Sequence, residues 1–239
     1  MNLLAFDTST DIMSVAVQRA NAAGATTTPH PVWQHSGPGG AQTSSQLIPT
    51  IQRLMAQAGL QFADLDAIVF GRGPGSFTGL RTACSVAQGL AFGANLKVLP
   101  IDTLLAVAEE ARFQQASALA HWQVLALLDA RMDEMYAASY AFNSGKWKQI
   151  KGYSLIRPED LASDADCPLA GNVFASYGAR LPGVAPRIEA LPGACALLRL
   201  APALLADGGA VPAGQALPLY IRDKVAKTTL ERATEKAAL

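Results

Sequence analysis

A glycine-rich run between a strand and a helix most constrains what this chain can fold into. Residues 65–70 are a compact apolar segment typical of a buried strand, and the sequence GRGPGSFTG follows at residues 71–79. Small residues then continue to about Phe92 as a predicted helix. Because glycine permits sharp turns and close backbone contacts, the order strand, glycine loop and helix predicts an α/β unit.

The same alternation extends over the first 102 residues. Apolar segments predict strands near residues 3–6, 12–17, 32–35 and 96–99, and residues 43–58 have helical spacing that ends at Gly59. Parallel neighbours in a sheet need a crossover helix between them. We therefore expect an α/β subdomain with a partly parallel sheet.

A second unit follows from residue 103. Its predicted elements are a helix at 103–115, a strand at 124–128, a turn at 129–133 and a strand at 135–142. When Asp7 is placed on Asp129, LLAFDTSTDIMSVAV and ALLDARMDEMYAASY share one pattern of apolar strand, aspartate, polar turn and second strand. This pattern indicates either an internal duplication or a coincidence between two common motifs.

The glycine loop is a candidate phosphate site. Its backbone N–H groups could face outward at a helix N-terminus, and its residues are Gly71, Arg72, Gly73, Gly75 and Ser76. The established phosphate-loop patterns fail, because they require glycine and lysine at residues 76–77 or glycine at Thr78. The alternative is a structural turn in which Ser76 or Thr78 caps the helix.

The turn after the first strand is a second candidate, with the residues Asp7, Thr8, Ser9 and Thr10. Actin-like ATPases and sugar kinases hold metal-bound phosphate with an aspartate at this place, followed by small hydroxyl residues. The same four residues also form an Asx-turn without any ligand. The sequence leaves both interpretations open.

The predicted helix after the glycine loop carries a row of small residues, Gly79, Ala83 and Ala87, at a spacing of four. Such a row allows another element to approach the helix closely. The helix at 43–58 adds the apolar residues Leu47, Ile51 and Leu54. These side chains predict either a contact with a partner helix or packing against the chain's own sheet.

Charge and composition exclude several classes of protein. The chain has 19 Lys and Arg against 19 Asp and Glu, so no overall field attracts it to nucleic acid or to an anionic membrane. Its three cysteines are far apart and its three histidines match no metal spacing, which argues against a disulfide framework and a zinc site. No apolar run reaches the length of a membrane span, and no signal peptide is recognisable, so we expect a cytoplasmic protein.

Four sequence blocks carry a resemblance to a known family. They are FDTST near the start, GRGPGSFTGLR with AQGLAFG at 71–93, LLDARMDEMYAASY at 127–140, and PLYIRDKVA at 218–226. Together they resemble the bacterial TsaB (YeaZ) family. The resemblance implies an actin-like, Hsp70-related (ASKHA) α/β fold of two similar subdomains, each with a mixed sheet and helices. We place these at residues 1–102 and 103–239, with a C-terminal tail that could return to the first.

The resemblance also implies a function. TsaB-like proteins are non-catalytic partners of the catalytic subunit TsaD, and with the ATPase TsaE they support N6-threonylcarbamoyladenosine formation in tRNAs that read ANN codons. It implies no cofactor and no metal, contact with tRNA only through the complex, and self-pairing as an option without the partner. The helices at 43–58 and 77–92 would carry the partner contact, with the residues Leu47, Ile51, Leu54, Gly79, Ala83, Ala87 and Leu90.

Departures from an active relative support the non-catalytic interpretation. The HxxxH metal pair of the catalytic relative is missing from residues 100–107. The bulky residues Arg131 and Met132 follow Asp129 where a second phosphate turn needs small ones, and Gly171 stands where an adenosine loop has two glycines. Residues 7–10 are therefore predicted to be a vestigial phosphate loop. The alternative is an independent ATP-binding actin-like kinase or ATPase.

The C-terminal tail is mildly basic. Residues 222–236 contain five Lys and Arg against three Asp and Glu. This composition is typical of a solvated tail, and it would also suit a contact with tRNA.

Overall fold

The computed structural model describes residues 1–21, 29–162, 166–181, 183 and 185–222. The basic tail beyond Arg222 therefore lies outside the described residues. The first 102 residues form β1 (Leu3–Asp7), β2 (Ile12–Gln18), β3 (Val32–Pro38), α1 (Thr43–Ala58), β4 (Ala67–Gly73), α2 (Phe77–Ala94) and β5 (Lys97–Asp102). The predicted strands and helices of this half are all present, and Gly59 ends α1 in the left-handed conformation (φ 65°).

The rest of the chain builds a second sheet and then returns to the first. Its elements are α3 (Thr103–Gln115), β6 (His121–Arg131), β7 (Glu134–Asn143), β8 (Lys146–Ile156), β9 (Leu169–Gly171), α4 (Phe174–Tyr177), β10 (Arg187–Glu189), α5 (Ala194–Ala206) and β11 (Val211–Pro212). No helix within the described residues is long and apolar enough to cross a membrane.

The first sheet has the strand order β11-β5-β4-β1-β2-β3, and the second has the order β10-β9-β6-β7-β8. Apart from β11, the five strands of each sheet follow one order. Thus β1 pairs antiparallel with β2 and parallel with β4, and β6 pairs in the same way with β7 and β9. Asp7 and Asp129 lie near the ends of the corresponding strands β1 and β6. The shared sequence pattern thus marks one position in two copies of a topology, and the predicted actin-like fold class is confirmed.

Four helices cover the first sheet. On one face, α1 and α2 pack side by side over an apolar cluster that contains Phe6, Val15 and Phe70. On the other face, α3 and α5 cover Leu3, Val69 and other strand residues, and α3 also packs against the second sheet. This second face needs a cover because its strand side chains are apolar, and beneath the two helices they are fully buried.

That cover comes partly from the C-terminal part of the chain. We expected residues 103–239 to form the second subdomain, with a C-terminal tail that could return to the first. In the structure, α5 contacts β1, β2 and β4, and β11 pairs with β5. The return begins at Ala194, so the second sheet is built mainly by residues 121–189.

The strands β8 to β10 and the exact turns were not predicted. The sequence of β8, with Lys146, Lys148 and Lys151, lacks the alternating apolar pattern that signals a strand. The turn expected at residues 129–133 is reduced to Met132 and Asp133, because β6 continues to Arg131. The last residues of β6 are a strand because they pair with β7.

Candidate functional site

A cleft of about 260 Å³ lies where the two halves of the chain meet. Its walls come from both candidate turns, from the glycine loop and from a segment near the C-terminal end of the described chain. They include Ser9, Thr10, Asp11, Gly75, Ser76, Phe77, Asp129, Ala130, Arg131, Met132, Tyr136, Asn172 and residues 219–222. The duplicated fold therefore brings the two predicted turns to one cleft.

The aspartate of the first turn is buried below this cleft. The Asp7 Oδ1 atom accepts hydrogen bonds from the Ser9 backbone N–H at 2.8 Å and from the Ser9 hydroxyl at 2.6 Å, which is the geometry of the Asx-turn that the sequence allowed. The Oδ2 atom has no hydrogen-bond partner among the described residues, and the side chain is fully buried. Burial raises the pKa of Asp7 to about 6. A ligand in the cleft could reach this carboxyl only after the turn moved.

The glycine loop packs directly on that turn. A Cβ atom on Gly71 would lie 1.8 Å from the Asp7 Oδ2 atom, and one on Gly79 would lie 1.8 Å from the Thr8 carbonyl oxygen. The Ser76 N–H donates to the Ser9 carbonyl at 2.7 Å, and the Thr8 hydroxyl donates to the Gly79 carbonyl at 2.7 Å. The two glycines therefore allow close contacts, Gly71 with the Asp7 side chain and Gly79 with the Thr8 backbone, and the Ser76 N–H already has an acceptor.

Ser76 holds the predicted N-cap position of α2, but its hydroxyl makes no cap hydrogen bond. The predicted N-cap position is therefore confirmed without a hydroxyl hydrogen bond, and the Ser76 backbone N–H bonds to the Ser9 carbonyl.

The end of β4 is tied to the second half of the chain. The Arg72 Nε atom lies 2.5 Å from the Asp102 Oδ1 atom, and the Tyr153 hydroxyl donates to the other oxygen of the same carboxylate. The Gly73 N–H donates to the Thr103 hydroxyl at 3.0 Å. These contacts fix the glycine loop relative to β8. Sequence reasoning missed Tyr153, because nothing in the pattern of β8 indicates its position.

Residues 219–222, which we call the closing segment, line one side of the cleft. The Leu219 N–H donates to the Arg72 carbonyl at 2.7 Å. The Tyr220 ring lies 5.4 Å from the Phe77 ring, and its hydroxyl accepts a hydrogen bond from Arg81 at 3.2 Å. The closing segment thus occupies space beside the glycine loop with the chain's own side chains.

Arg222, at the end of the closing segment, binds the turn between β6 and β7. Its guanidinium donates to Glu134 at 2.6 Å and to the carbonyls of Ala130 and Arg131 at 3.2 Å each. In this turn Arg131, Met132 and Asp133 all have positive φ, between 56° and 65°. Each left-handed residue other than glycine costs about 1 kcal/mol, so the turn depends on such contacts.

The second turn also uses its aspartate internally. The Asp129 Oδ1 atom accepts from the Arg131 N–H at 2.8 Å and from the Tyr177 hydroxyl at 2.9 Å. Burial, together with Asp129, raises the pKa of Tyr177 to about 12. The Arg131 guanidinium reaches across the cleft to Asp11 at 2.5 Å. The bulk predicted after Asp129 therefore does line the cleft.

We expect Arg222→Ala to lower the free energy of unfolding by about 2 kcal/mol, because it removes charge-assisted bonds to a turn in an unfavourable conformation. Amide hydrogen exchange should accelerate at residues 129–134, because their strained backbone would lose the hydrogen bonds that Arg222 donates to its carbonyls. Unchanged exchange there would show that the turn holds its shape without Arg222. Arg222→Lys is the matched variant, since it keeps the charge but loses the fork of donors.

The predicted interface residues lie mostly inside the first subdomain. Leu47, Ile51, Leu54, Ala83 and Ala87 are at most 1% exposed, and they pack against the strands of the first sheet. Gly79 is buried as well, and only Leu90 of the predicted set is partly exposed. The expectation that these side chains form a contact surface is therefore corrected: the small row faces the chain's own sheet.

The outward faces of the same two helices remain open. A Cβ atom on Gly89 or Gly93 of α2 would meet nothing within 4 Å among the described residues. Phe92 is 85% exposed and Ile48 of α1 is 42% exposed. A partner could approach α2 closely along the two glycines, which are four residues apart.

Comparisons with known proteins agree on one family. A family model described as TsaD, tRNA N6-adenosine threonylcarbamoyltransferase, matches residues 38–172. The chain is 32% identical to a Haemophilus influenzae protein and 30% identical to an Escherichia coli protein, both named tRNA threonylcarbamoyladenosine biosynthesis protein TsaB. The alignments cover 94% and 95% of this chain, and 95% and 96% of those proteins.

A solved structure described as YeaZ from Pseudomonas aeruginosa is similar over the whole fold. Its sequence identity to this chain is 36% and the TM-score is 0.80. The match covers 92% of this chain and 99% of that one.

Proposed function

Because the chain belongs to the TsaB (YeaZ) family of tRNA threonylcarbamoyladenosine biosynthesis proteins, we propose that it is a non-catalytic subunit of the enzyme that makes this tRNA modification. The reaction would transfer a threonylcarbamoyl group to the adenosine next to the anticodon of ANN-reading tRNAs. The chemistry would belong to a TsaD-like partner, with a TsaE-like ATPase as a further component.

The lining of the cleft is the observation that carries this proposal. An actin-like ATPase needs an accessible aspartate and free loop donors at the cleft between its two halves. Here Asp7 is fully buried, and the Ser76 N–H is bonded to Ser9. Arg131 bonds to Asp11 across the cleft, and the closing segment lines the same cleft. These contacts support a role in which the chain uses the actin-like fold to assemble with a partner and not to bind a nucleotide.

The outward faces of α1 and α2 are the proposed partner surface. They lie side by side on one face of the first sheet, and they expose Ile48, Phe92 and the two open glycines Gly89 and Gly93. An exposed aromatic side chain beside a row without side chains suits helix-to-helix packing. In the absence of the TsaD-like subunit, the same surface would allow the chain to pair with itself.

We expect Gly89→Trp to weaken pairing with a TsaD-like subunit at least tenfold, because the indole would occupy the space a partner helix needs. The free chain should melt at a temperature no lower than that of the unchanged chain, since nothing within 4 Å contacts this position among the described residues. Analytical ultracentrifugation of the mixed subunits gives the affinity. Threonylcarbamoyladenosine formed by the reconstituted complex should fall in proportion at subunit concentrations near the dissociation constant.

Gln114→Trp on α3 is the matched control, because it places the same side chain on an exposed helix over the opposite face of the first sheet. Equal pairing by Gly89→Trp and the unchanged chain would contradict the surface proposed here. Turnover of ATP with Mg²⁺ by the purified chain alone would contradict the non-catalytic role and favour an independent actin-like ATPase or kinase.

A further inference from the structure

Among the described residues, the second sheet has less covering on its outer face than the first. In the first sheet the two crossover connections are α1, with 16 residues, and α2, with 18. In the second sheet, the described part of the β8–β9 connection contains only a one-turn 3-10 helix at Pro158–Asp160. The β9–β10 connection contains α4, with four residues. Shortened crossovers leave part of this sheet face open.

The strand registers show which residues lie on the open part. Leu125, Leu127 and Ala137 occupy the covered end of the outer face, under Val173 and Leu181. Further along the same face, the paired residues are Ser139 with Lys151, Ala141 with Lys148, and Asn143 with Lys146. Directly paired residues project from the same face of a sheet. His121 joins them, since its ring contacts the Asn143 side chain at 2.9 Å.

The open end is positively charged. Its residues, which we call the lysine face, are His121, Gln123, Ser139, Ala141, Asn143, Lys146, Lys148 and Lys151. None of them is acidic, and all three lysines are exposed. Lys146 lies 3.4 Å from Asp207, whereas Lys148 and Lys151 have no ion-pair partner within the described ranges. At the other end of this sheet, by contrast, Asp133 and Glu159 are both paired with Arg180.

We propose that the lysine face binds the phosphate backbone of tRNA in the assembled complex. The proposal rests on the function proposed above, which supplies tRNA as the substrate. Lysines neutralise phosphates and release condensed counterions, and amide and hydroxyl groups such as those of Gln123, Ser139 and Asn143 donate to phosphate and sugar oxygens. Because the chain's formal net charge is zero, attraction for RNA has to come from a local surface of this kind.

The face is suited to the phosphate backbone and offers little for reading bases. None of its eight named residues is Phe, Tyr or Trp, and its one ring, that of His121, already contacts the Asn143 side chain. Binding should therefore be independent of sequence and strongly dependent on salt. Base selection would remain with the catalytic partner.

The test is the double substitution Lys148→Gln/Lys151→Gln in the complex reconstituted with the TsaD-like subunit. The probe is an unmodified transcript of an ANN-reading tRNA, and its affinity is measured by fluorescence anisotropy between about 50 and 200 mM KCl. We expect roughly tenfold weaker binding at 100 mM salt, and a plot of log K against log [salt] that is shallower by about 2. The control Lys97→Gln/Arg157→Gln removes two exposed positive charges elsewhere and should leave both values unchanged.

The outcomes separate this proposal from the function itself. If the double variant keeps the affinity and the salt slope while the complex still modifies tRNA, the lysine face is not an RNA surface and the proposed function stands. A variant that instead loses the TsaD-like partner or self-associates in sedimentation would show that the lysines serve a protein contact or protect the β8 edge, and would also overturn the proposal. If the complex with the unchanged chain forms no threonylcarbamoyladenosine, the proposed function itself is contradicted, and the proposal that rests on it falls with it.

Discussion

Gly79→Ala should destabilise the chain by about 3 kcal/mol, although alanine is the better helix former. The added Cβ atom would lie 1.8 Å from the Thr8 carbonyl oxygen, which belongs to backbone and cannot rotate away. Either α2 or the turn after β1 must shift, and each is held to the other by the Ser76–Ser9 and Thr8–Gly79 hydrogen bonds. Overpacking of this kind costs more than the roughly 1 kcal/mol that helix propensity returns.

Gly89→Ala is the matched control on the same helix. Nothing lies within 4 Å of its added Cβ atom among the described residues, so propensity alone should raise the free energy of unfolding by about 0.5–1 kcal/mol. Urea denaturation of both variants measures the contrast. Equal stability changes in the two variants would show that α2 can move away from the Thr8 turn at little cost.

Asp7→Asn should remove a pH dependence from the stability of the chain. Burial raises the pKa of Asp7 from 3.8 to about 6 in the folded state, so the folded chain binds this proton more tightly than the unfolded chain does. Stability from this group is fully present below about pH 4 and is lost as the pH rises through 6. The full loss is about 3 kcal/mol, and the stability of the Asp7→Asn variant relative to the unchanged chain should rise over that range.

Ser9→Ala tests the cause of the shift. The Ser9 hydroxyl bonds to the ionised carboxyl at 2.6 Å and lowers its pKa, against the larger effect of burial. Without that bond the pKa of Asp7 should rise further, and the loss of stability should extend to higher pH. Urea denaturation from pH 4 to 8 follows all three chains. Parallel curves for Asp7→Asn and the unchanged chain would mean that Asp7 stays ionised when buried.

Local sequence patterns were sufficient for much of the fold. The apolar runs and their spacing predicted β1, β2, α1, α2 and α3, because each depends on contacts between residues near in sequence. The match between Asp7 and Asp129 left internal duplication and coincidence open, and the common strand order of the two sheets favours duplication. By contrast, β8 is a strand through its pairing with β7, and its polar sequence carries no periodic signal.

The sequence by itself determined the family, the duplicated α/β topology and the position of the two turns, since these are carried by motifs and by local periodicity. Only the tertiary structure decided which way the side chains face. The row Gly79, Ala83 and Ala87 has the same spacing whether it meets a partner or the chain's own sheet, and the structure places it on the sheet. The sequence allowed a C-terminal tail to return to the first subdomain, but its place in the cleft could not be derived from it. The contact of Arg222 with Ala130 joins residues 92 apart and depends on the relative placement of the two halves.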